Sequence, residues 1–294
     1  MSASAMVEDG VVGTALAAPG PALWARQVLG LLGLEVPRRL FKRRSLGIWL
    51  LALAPVAIMA LKAVILIVFE PDHMGRFGLP AEERVYADVF QMLIVRLCLF
   101  FGCVTVFITA IRGDVIDRSI HYHFLAPVRR EVLVAGKYLS GLIVTFAAFA
   151  LATLATRALM YAPYGATEAS AHFFVGPGLR HTLVYLAIVA LGCLAYGALF
   201  LAAGLVARNP IIPAVILFGW ESANIFLPPP LRQVSVIYYL VSLTPVPVDL
   251  GPFSVPATPA TPLAAMLALF ALTAVLLVWS ARRIRRMEVD YADD

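Results

Sequence analysis

Residues 114–139 read DVIDRSIHYHFLAPVRREVLVAGKYL, a charged stretch set between two long apolar runs. A plain connection between membrane helices needs only a few turn residues. This one is longer and patterned. Gly113 ends the apolar run before it. Ile116, Ile120 and Phe124 then recur every four residues, which marks one face of a short helix. Asp117, Arg118, His121 and Tyr122 occupy the rest of its circumference. Asp114 and Asp117 in the first turn suit the positive end of a helix. Pro127 stops it, because the residue before a proline is pushed out of helical geometry. Arg129, Arg130 and Glu131 open the next helix. The expected local structure is a transverse amphipathic helix, a proline-centred turn and a basic helix start. Such a helix suits docking a partner while lying along a membrane. His121 and His123 point roughly 200° apart on a helix, so a shared metal is not expected.

The flanking runs fix the fold class. The chain has 294 residues, 61% hydrophobic and 14% charged, whereas soluble domains run about 45–50% apolar and about 25% charged. The surplus must face lipid. Runs long enough to cross about 30 Å of hydrocarbon fall at 46–69, 88–111, 137–162, 181–207, 210–227 and 262–281. The expectation is an all-α integral membrane protein with six transmembrane helices. Only Arg208 and Asn209 separate the fourth and fifth runs, and Pro210 opens the fifth, where a missing N–H does no harm. Residues 1–20 contain no Lys or Arg and read as a disordered tail, not a signal peptide. Cys98, Cys103 and Cys193 lie inside apolar runs and read as packing residues.

Lys and Arg are distributed unequally. Arg26, Arg38, Arg39, Lys42, Arg43 and Arg44 precede the first run. Arg112, Arg118, Arg129, Arg130 and Lys137 fall between the second and third. With Arg208 and with Arg282, Arg283, Arg285 and Arg286, sixteen bases lie on one side. Arg76, Arg84, Arg180 and Arg232 lie on the other, and Lys62, Arg96 and Arg157 fall within spans. By the positive-inside rule both termini and the 114–139 stretch are cytoplasmic, in a cell's inner (plasma) membrane. The same rule accounts for the net charge of +5, and nucleic acid is not needed as a partner.

Residues 21–45 carry a second pattern. Leu23, Trp24, Val28, Leu31 and Leu32 repeat at helical spacing, with Arg26 and Gln27 on the opposite face. This reads as an interfacial helix in the cytoplasmic headgroup layer, or as a short helix packed on its own protein. Within the spans, Lys62, Arg96, Arg157 and Glu221 all lie toward the outer half. Ionisable groups there are costly and are usually paired or functional. Glu221 is expected to pair with Arg96 or Arg157, and the set to line a pathway or hold a gate. Lys62 and Arg157 have a simpler alternative in snorkelling to the outer headgroups. After Pro228, Pro229 and Pro230, the segment 231–244 is apolar but too short to cross. It reads as a re-entrant or interfacial external helix with Tyr238 and Tyr239 at headgroup level. The pieces 70–87 and 163–180 read as external loops, the first with Glu70, Asp72, Glu82 and Glu83 as surface acids.

FLAPVRREVLVAGKYL, residues 124–139, resembles the first cytoplasmic loop of ABC-2 type permeases, in which a small residue, P-V-x-R and a G-K-x-L follow one another. Just upstream, where that family commonly has a glutamate and G-T-L, this chain has Asp117, Arg118, Ser119 and Ile120. The ordered combination of N-terminal amphipathic helix, six spans, tight fourth-to-fifth hairpin and long external segment is similar over most of the chain. The resemblance implies a transmembrane domain over 46–281, a cytoplasmic tail over 282–294, and a coupling helix that contacts an ATPase subunit. Asp114, Asp117, Arg118, His121, Pro127, Arg129 and Arg130 would make that contact. It also implies pairing with a second permease subunit, contact with membrane lipids, and export. No G-x-x-x-x-G-K-[ST] loop is present, so ATP and Mg²⁺ would bind the partner ATPase and this chain would not be an enzyme. Two other readings remain. One is a channel or binding protein outside this class. The other is an intramembrane prenyltransferase-like enzyme using Asp114 and Asp117, which would need further carboxylates for Mg²⁺ and diphosphate.

Overall fold

The computed structural model describes residues 21–41, 46–69, 73–110, 130–207, 209, 211–248 and 258–285. Asp114, Asp117, Arg118, His121, Pro127 and Arg129 lie outside the described residues, as do the tails 1–20 and 286–294. The described chain is helical throughout its regular structure. Its helices are α1 (Pro21–Phe41), α2 (Leu46–Val68), α3 (Gly78–Ile108), α4 (Arg130–Tyr161), α5 (Ala166–Ser170), α6 (Gly178–Val206), α7 (Ile211–Phe226), α8 (Pro229–Arg232), α9 (Val236–Ser242) and α10 (Pro262–Arg285). Five of them, α2, α3, α4, α6 and α10, are long and apolar enough to cross a membrane. The chain is a multi-pass membrane protein.

Neighbouring helices alternate in direction. Lys62 near the end of α2 meets Glu82 at the start of α3, and Arg157 at the end of α4 meets Gly178 at the start of α6. At the opposite end, Lys137 of α4 meets Ala110 just beyond α3, and Ile108 of α3 lies against Gly204 of α6. Arg282, Arg283 and Arg285 close α10 at this second end, called the basic end below. The core lies around α6, whose apolar window is 67% buried, while those of α2 and α10 are 28% and 22% buried. These two peripheral helices display apolar side chains outward, among them Leu50, Leu61, Val275 and Val278. In a bilayer such faces belong to lipid or to another membrane chain.

Two sequence expectations change here. The second span starts at Gly78, about ten residues before the apolar run. Gly78 has φ 64°, a left-handed backbone that glycine adopts freely, and it breaks α3 from a short helical lead-in at His73. The expected fifth span, 210–227, is α7, a helix of 16 residues ending in a 3₁₀ turn, Asn224–Phe226. At 1.5 Å per residue that is about 24 Å, short of the hydrocarbon thickness. Its start is capped by Asn209, whose Oδ1 accepts the Ile211 N–H at 3.0 Å.

α3 also departs from α geometry, widening into π turns over Phe90–Leu99 and Val104–Ile108. Its aromatic and leucine side chains press into glycines of its neighbours. A Cβ added at Gly197 of α6 would lie 2.6 Å from the Phe107 ring, and one at Gly141 of α4 would lie 2.7 Å from the same ring. At Gly192 of α6 it would meet Leu99 at 2.3 Å; in the reverse sense, one at Gly102 of α3 itself would meet the Phe149 ring of α4 at 2.4 Å. Small residues let membrane helices approach closely, where dispersion replaces the absent hydrophobic drive. Gly197→Val is therefore expected to cost about 1–3 kcal/mol by overpacking, seen as a lower unfolding midpoint in detergent. Gly219→Ala, at a position with open space around it, is the control and should leave the midpoint unchanged.

α1 packs along α4, with Leu31 against Gly136. Val28, Leu31 and Leu32 of its expected apolar stripe are half-buried, while Leu29 and Leu34 point outward. The helix therefore has one face on its own protein and a second apolar edge free for a membrane surface. Cys98, Cys103 and Cys193 are buried free thiols, as expected of packing residues.

Candidate functional site

The candidate site is a buried charge network at the end of the bundle opposite the basic end. Glu83, on the first turns of α3, is 4% exposed. One of its carboxylate oxygens takes an Arg157 Nη2 donor from α4 at 2.9 Å, and the other lies 2.5 Å from His181 Nδ1 of α6. Arg157 is 2% exposed and fully engaged. It donates to Thr182 Oγ1, to the Tyr161 hydroxyl and to the Gly178 carbonyl, each at 3.2 Å. Its guanidinium lies 4.8 Å from the centre of the Tyr86 ring, a cation–π distance. Tyr161 in turn touches His172 Nδ1 at 3.1 Å. Helices α3, α4 and α6 are thereby bound to one carboxylate. Adjacent to it, Glu82 points to another neighbour and pairs with Lys62 of α2. Consecutive helical residues face about 100° apart, so a Glu–Glu step serves two partners. Tyr164, in the loop after α4, is buried; desolvation first, and then the neighbouring Glu82 carboxylate, push its hydroxyl pKa up to about 12.

Above this network is a cavity of about 790 Å³. Glu83, Arg84 and Asp88 of α3 form one wall, His172 and His181 a second, and Pro245–Val248 after α9 a third. The cavity offers both charges, two imidazoles and an apolar proline wall, which fits an amphipathic ligand better than a plain ion. Among the described residues no group of His, Cys, Asp and Glu is arranged to hold a metal ion.

A second polar centre lies deeper. Glu221 of α7 is 7% exposed. It accepts the Ser235 hydroxyl at 2.7 Å, the Ile237 N–H at 2.9 Å, the Val236 N–H at 3.0 Å and the Tyr196 hydroxyl at 3.2 Å. The two N–H groups open α9, so the carboxylate meets donors that α9 cannot satisfy itself. Arg232 complements it by donating to the Ile225 and Leu227 carbonyls at the end of α7. Leu240 of α9 lies against Gly192, the midpoint of α6. The expected external helix 231–244 is therefore two short helices, α8 and α9, folded down beside the bundle. Tyr238 and Tyr239 stack edge to face and are half-buried. The Tyr238 hydroxyl donates to the Thr258 carbonyl at 3.0 Å.

The intramembrane charges are thus arranged differently from the expectation. Glu221 pairs with neither Arg96 nor Arg157. Arg157 is taken by Glu83, and Glu221 is saturated by backbone and hydroxyl donors. Arg96 lies within electrostatic reach of Tyr196, Glu221 and Arg232, without an ion pair to Glu221. Lys62 does not reach for headgroups alone but holds Glu82. Glu82 and Glu83 are not loop acids; both are buried. One signal for them was in the sequence: two bases near the ends of spans opposite the basic end, Lys62 and Arg157, need counter-charges at the same level, and the nearest acids are the Glu82–Glu83 pair.

No protein-family model, curated protein or solved structure matches this chain.

The third polar centre is at the basic end. Lys137, near the start of α4, is 3% exposed. It donates to the Ala110 carbonyl at 2.8 Å and lies 3.6 Å from Glu35 of α1. Arg39 of α1 pairs with the same Glu35 at 2.9 Å and reaches the Val106 carbonyl at 3.3 Å. Both ends of the 111–129 segment are thereby tied to each other and to α1. Arg130 begins α4 on this edge.

Proposed function

We propose that the chain is the permease subunit of an ABC-2 type ATP-binding cassette transporter, an exporter that pairs with a second permease and with separate ATPase subunits. The single observation that carries the reading is the 124–139 sequence, FLAPVRREVLVAGKYL, placed where its Lys137 is buried in the three-helix knot at the basic end. The lever argument supports it. A helix over 114–124 that is pushed by an ATPase delivers the push to α1, α3 and α4 together, because Lys137, Glu35 and Arg39 bind them to one another. In this reading the basic end is cytoplasmic, and both termini with it. Asp114, Asp117, Arg118, His121, Pro127, Arg129 and Arg130 face the ATPase, which holds the ATP and Mg²⁺. α7 and the re-entrant α8–α9 pair together make the fifth of six crossings. The Lys62, Glu82, Glu83 and Arg157 pairs hold the outer gate, and Arg96 with Glu221 borders the pathway beneath it.

Charge reversal at Asp117 or Arg118, co-expressed with an ABC ATPase subunit that co-purifies with the native chain, tests the reading. The expected result is weakened co-purification or ATP hydrolysis that no longer responds to substrate, with the permease still inserted. Unchanged assembly together with unchanged transport-linked hydrolysis would sink the coupling assignment.

A further inference from the structure

At the basic end, a groove of about 450 Å³ opens between the end of α6 and the last turns of α10, lined by Val206, Trp279, Arg282 and Arg283. Arg282 and Arg283 are exposed, and no acid belongs to this lining among the described residues. Trp279 and Arg282 are three residues apart, and Trp279 and Arg283 four, so the indole and both guanidinium groups share one flank of α10. Val275 and Val278 continue that flank along the helix, 66% and 50% exposed. The order along α10 is therefore an apolar stripe, an indole 42% exposed, and then two exposed cations. That is the profile of a phospholipid in a bilayer: acyl chains, carbonyl region, then phosphate.

We propose that this groove binds an anionic phospholipid, with its phosphate on Arg282 and Arg283, its glycerol region against Trp279 and its acyl chains along Val206, Val275 and Val278. Charge complementarity selects the occupant. Two exposed arginines with no counter-acid among the described residues favour a net-negative headgroup over a zwitterionic one, whose own ammonium they would repel. Paired guanidinium groups also match phosphate oxygens in a way that a second copy of this same basic flank would not. The site needs only the membrane-spanning fold and not the transporter reading.

The chain has four tryptophans, so a variant keeping Trp279 alone, with Trp24, Trp49 and Trp220 changed to Phe, reports on this groove. It is placed in nanodiscs of mixed phosphatidylglycerol and phosphatidylcholine with bromine on the acyl chains of one lipid at a time. Brominated phosphatidylglycerol is expected to quench Trp279 more than brominated phosphatidylcholine at equal mole fraction. R282Q/R283Q should abolish that preference, a loss of about thirtyfold in relative affinity for two arginine–headgroup contacts. R282K/R283K should keep most of it, and the thermal midpoint should be the same in all variants. Equal quenching by the two lipids overturns the proposal. So does protection from both, which would mean that another protein chain covers the groove. Displacement of the quenching lipid by millimolar inorganic phosphate would show a site for free phosphate and would also overturn it.

Discussion

Glu83→Ala is expected to destabilise the protein by about 3–5 kcal/mol, the cost of removing one partner of a buried ion pair. The loss is large because of what stays behind. Arg157 keeps its charge in a place where it is 2% exposed, and its contacts to Thr182, Tyr161 and Gly178 are to neutral groups. His181 loses its carboxylate as well. Three helices meet at Glu83, so the penalty falls on the packing of α3, α4 and α6 at once. Glu82→Ala is the comparison. Its partner Lys62 has a side chain 27% exposed and can turn to water or headgroups, so the cost should be nearer about 0–1 kcal/mol. The unfolding midpoint of each variant in a mild detergent measures the difference. The double variant Glu83→Ala/Arg157→Leu should recover much of the loss, because no charge is left stranded. Equal, small effects of Glu83→Ala and Glu82→Ala would show that the Arg157 charge is solvated from the cavity.

Glu221→Ala should act locally and strongly. It strands two backbone donors and two hydroxyls, all buried, and each unmade donor costs about 1–3 kcal/mol before relaxation. The N-terminus of α9 then has no acceptor at its depth in the bundle. Amide exchange over 236–240 is expected to accelerate by about a hundredfold or more, the equivalent of two donors lost. Glu221→Gln keeps one oxygen and should fall between the alanine variant and the native protein. Glu168→Gln, on the exposed α5, should change nothing. Exchange at 236–240 that is the same in Glu221→Ala and in the native chain would show that packing, not the carboxylate, holds α9.

The long helices were legible because lipid imposes length and apolarity on a contiguous run. Leu46–Val68 and Pro262–Arg285 match the runs 46–69 and 262–281 closely, since nothing but hydrophobicity sets them. α3 was misjudged at its start because the criterion for a span penalises charge. Glu82 and Glu83 are charged, yet they are helical and buried, because their counter-ions come from α2, α4 and α6. Pairings of this kind are long-range and leave no mark in a local window. The same holds for Glu221. Its isolation among apolar residues announced a partner, but the partners proved to be main-chain N–H groups, which every residue carries and no sequence pattern reveals. The run Pro228, Pro229 and Pro230 did mark the end of α7, with Pro229 and Pro230 opening α8. What they did not disclose was the direction the chain takes afterwards, back down beside α6.

A helix of about 24 Å with a carboxylate two-thirds of the way along it is a poor substrate for insertion on its own, since an acid at mid-bilayer costs about 2.5–3.5 kcal/mol on the insertion scale. Three of the four donors to Glu221 belong to Ser235, Val236 and Ile237, which follow α7 in the chain, and the fourth, Tyr196, precedes it. Until 235–237 fold back against α7, the buried carboxylate therefore lacks most of the donors that offset its burial. The chain thus places the acceptor before most of its donors: the Glu221 carboxylate of one segment is satisfied mainly by N–H and hydroxyl groups of a segment that follows it.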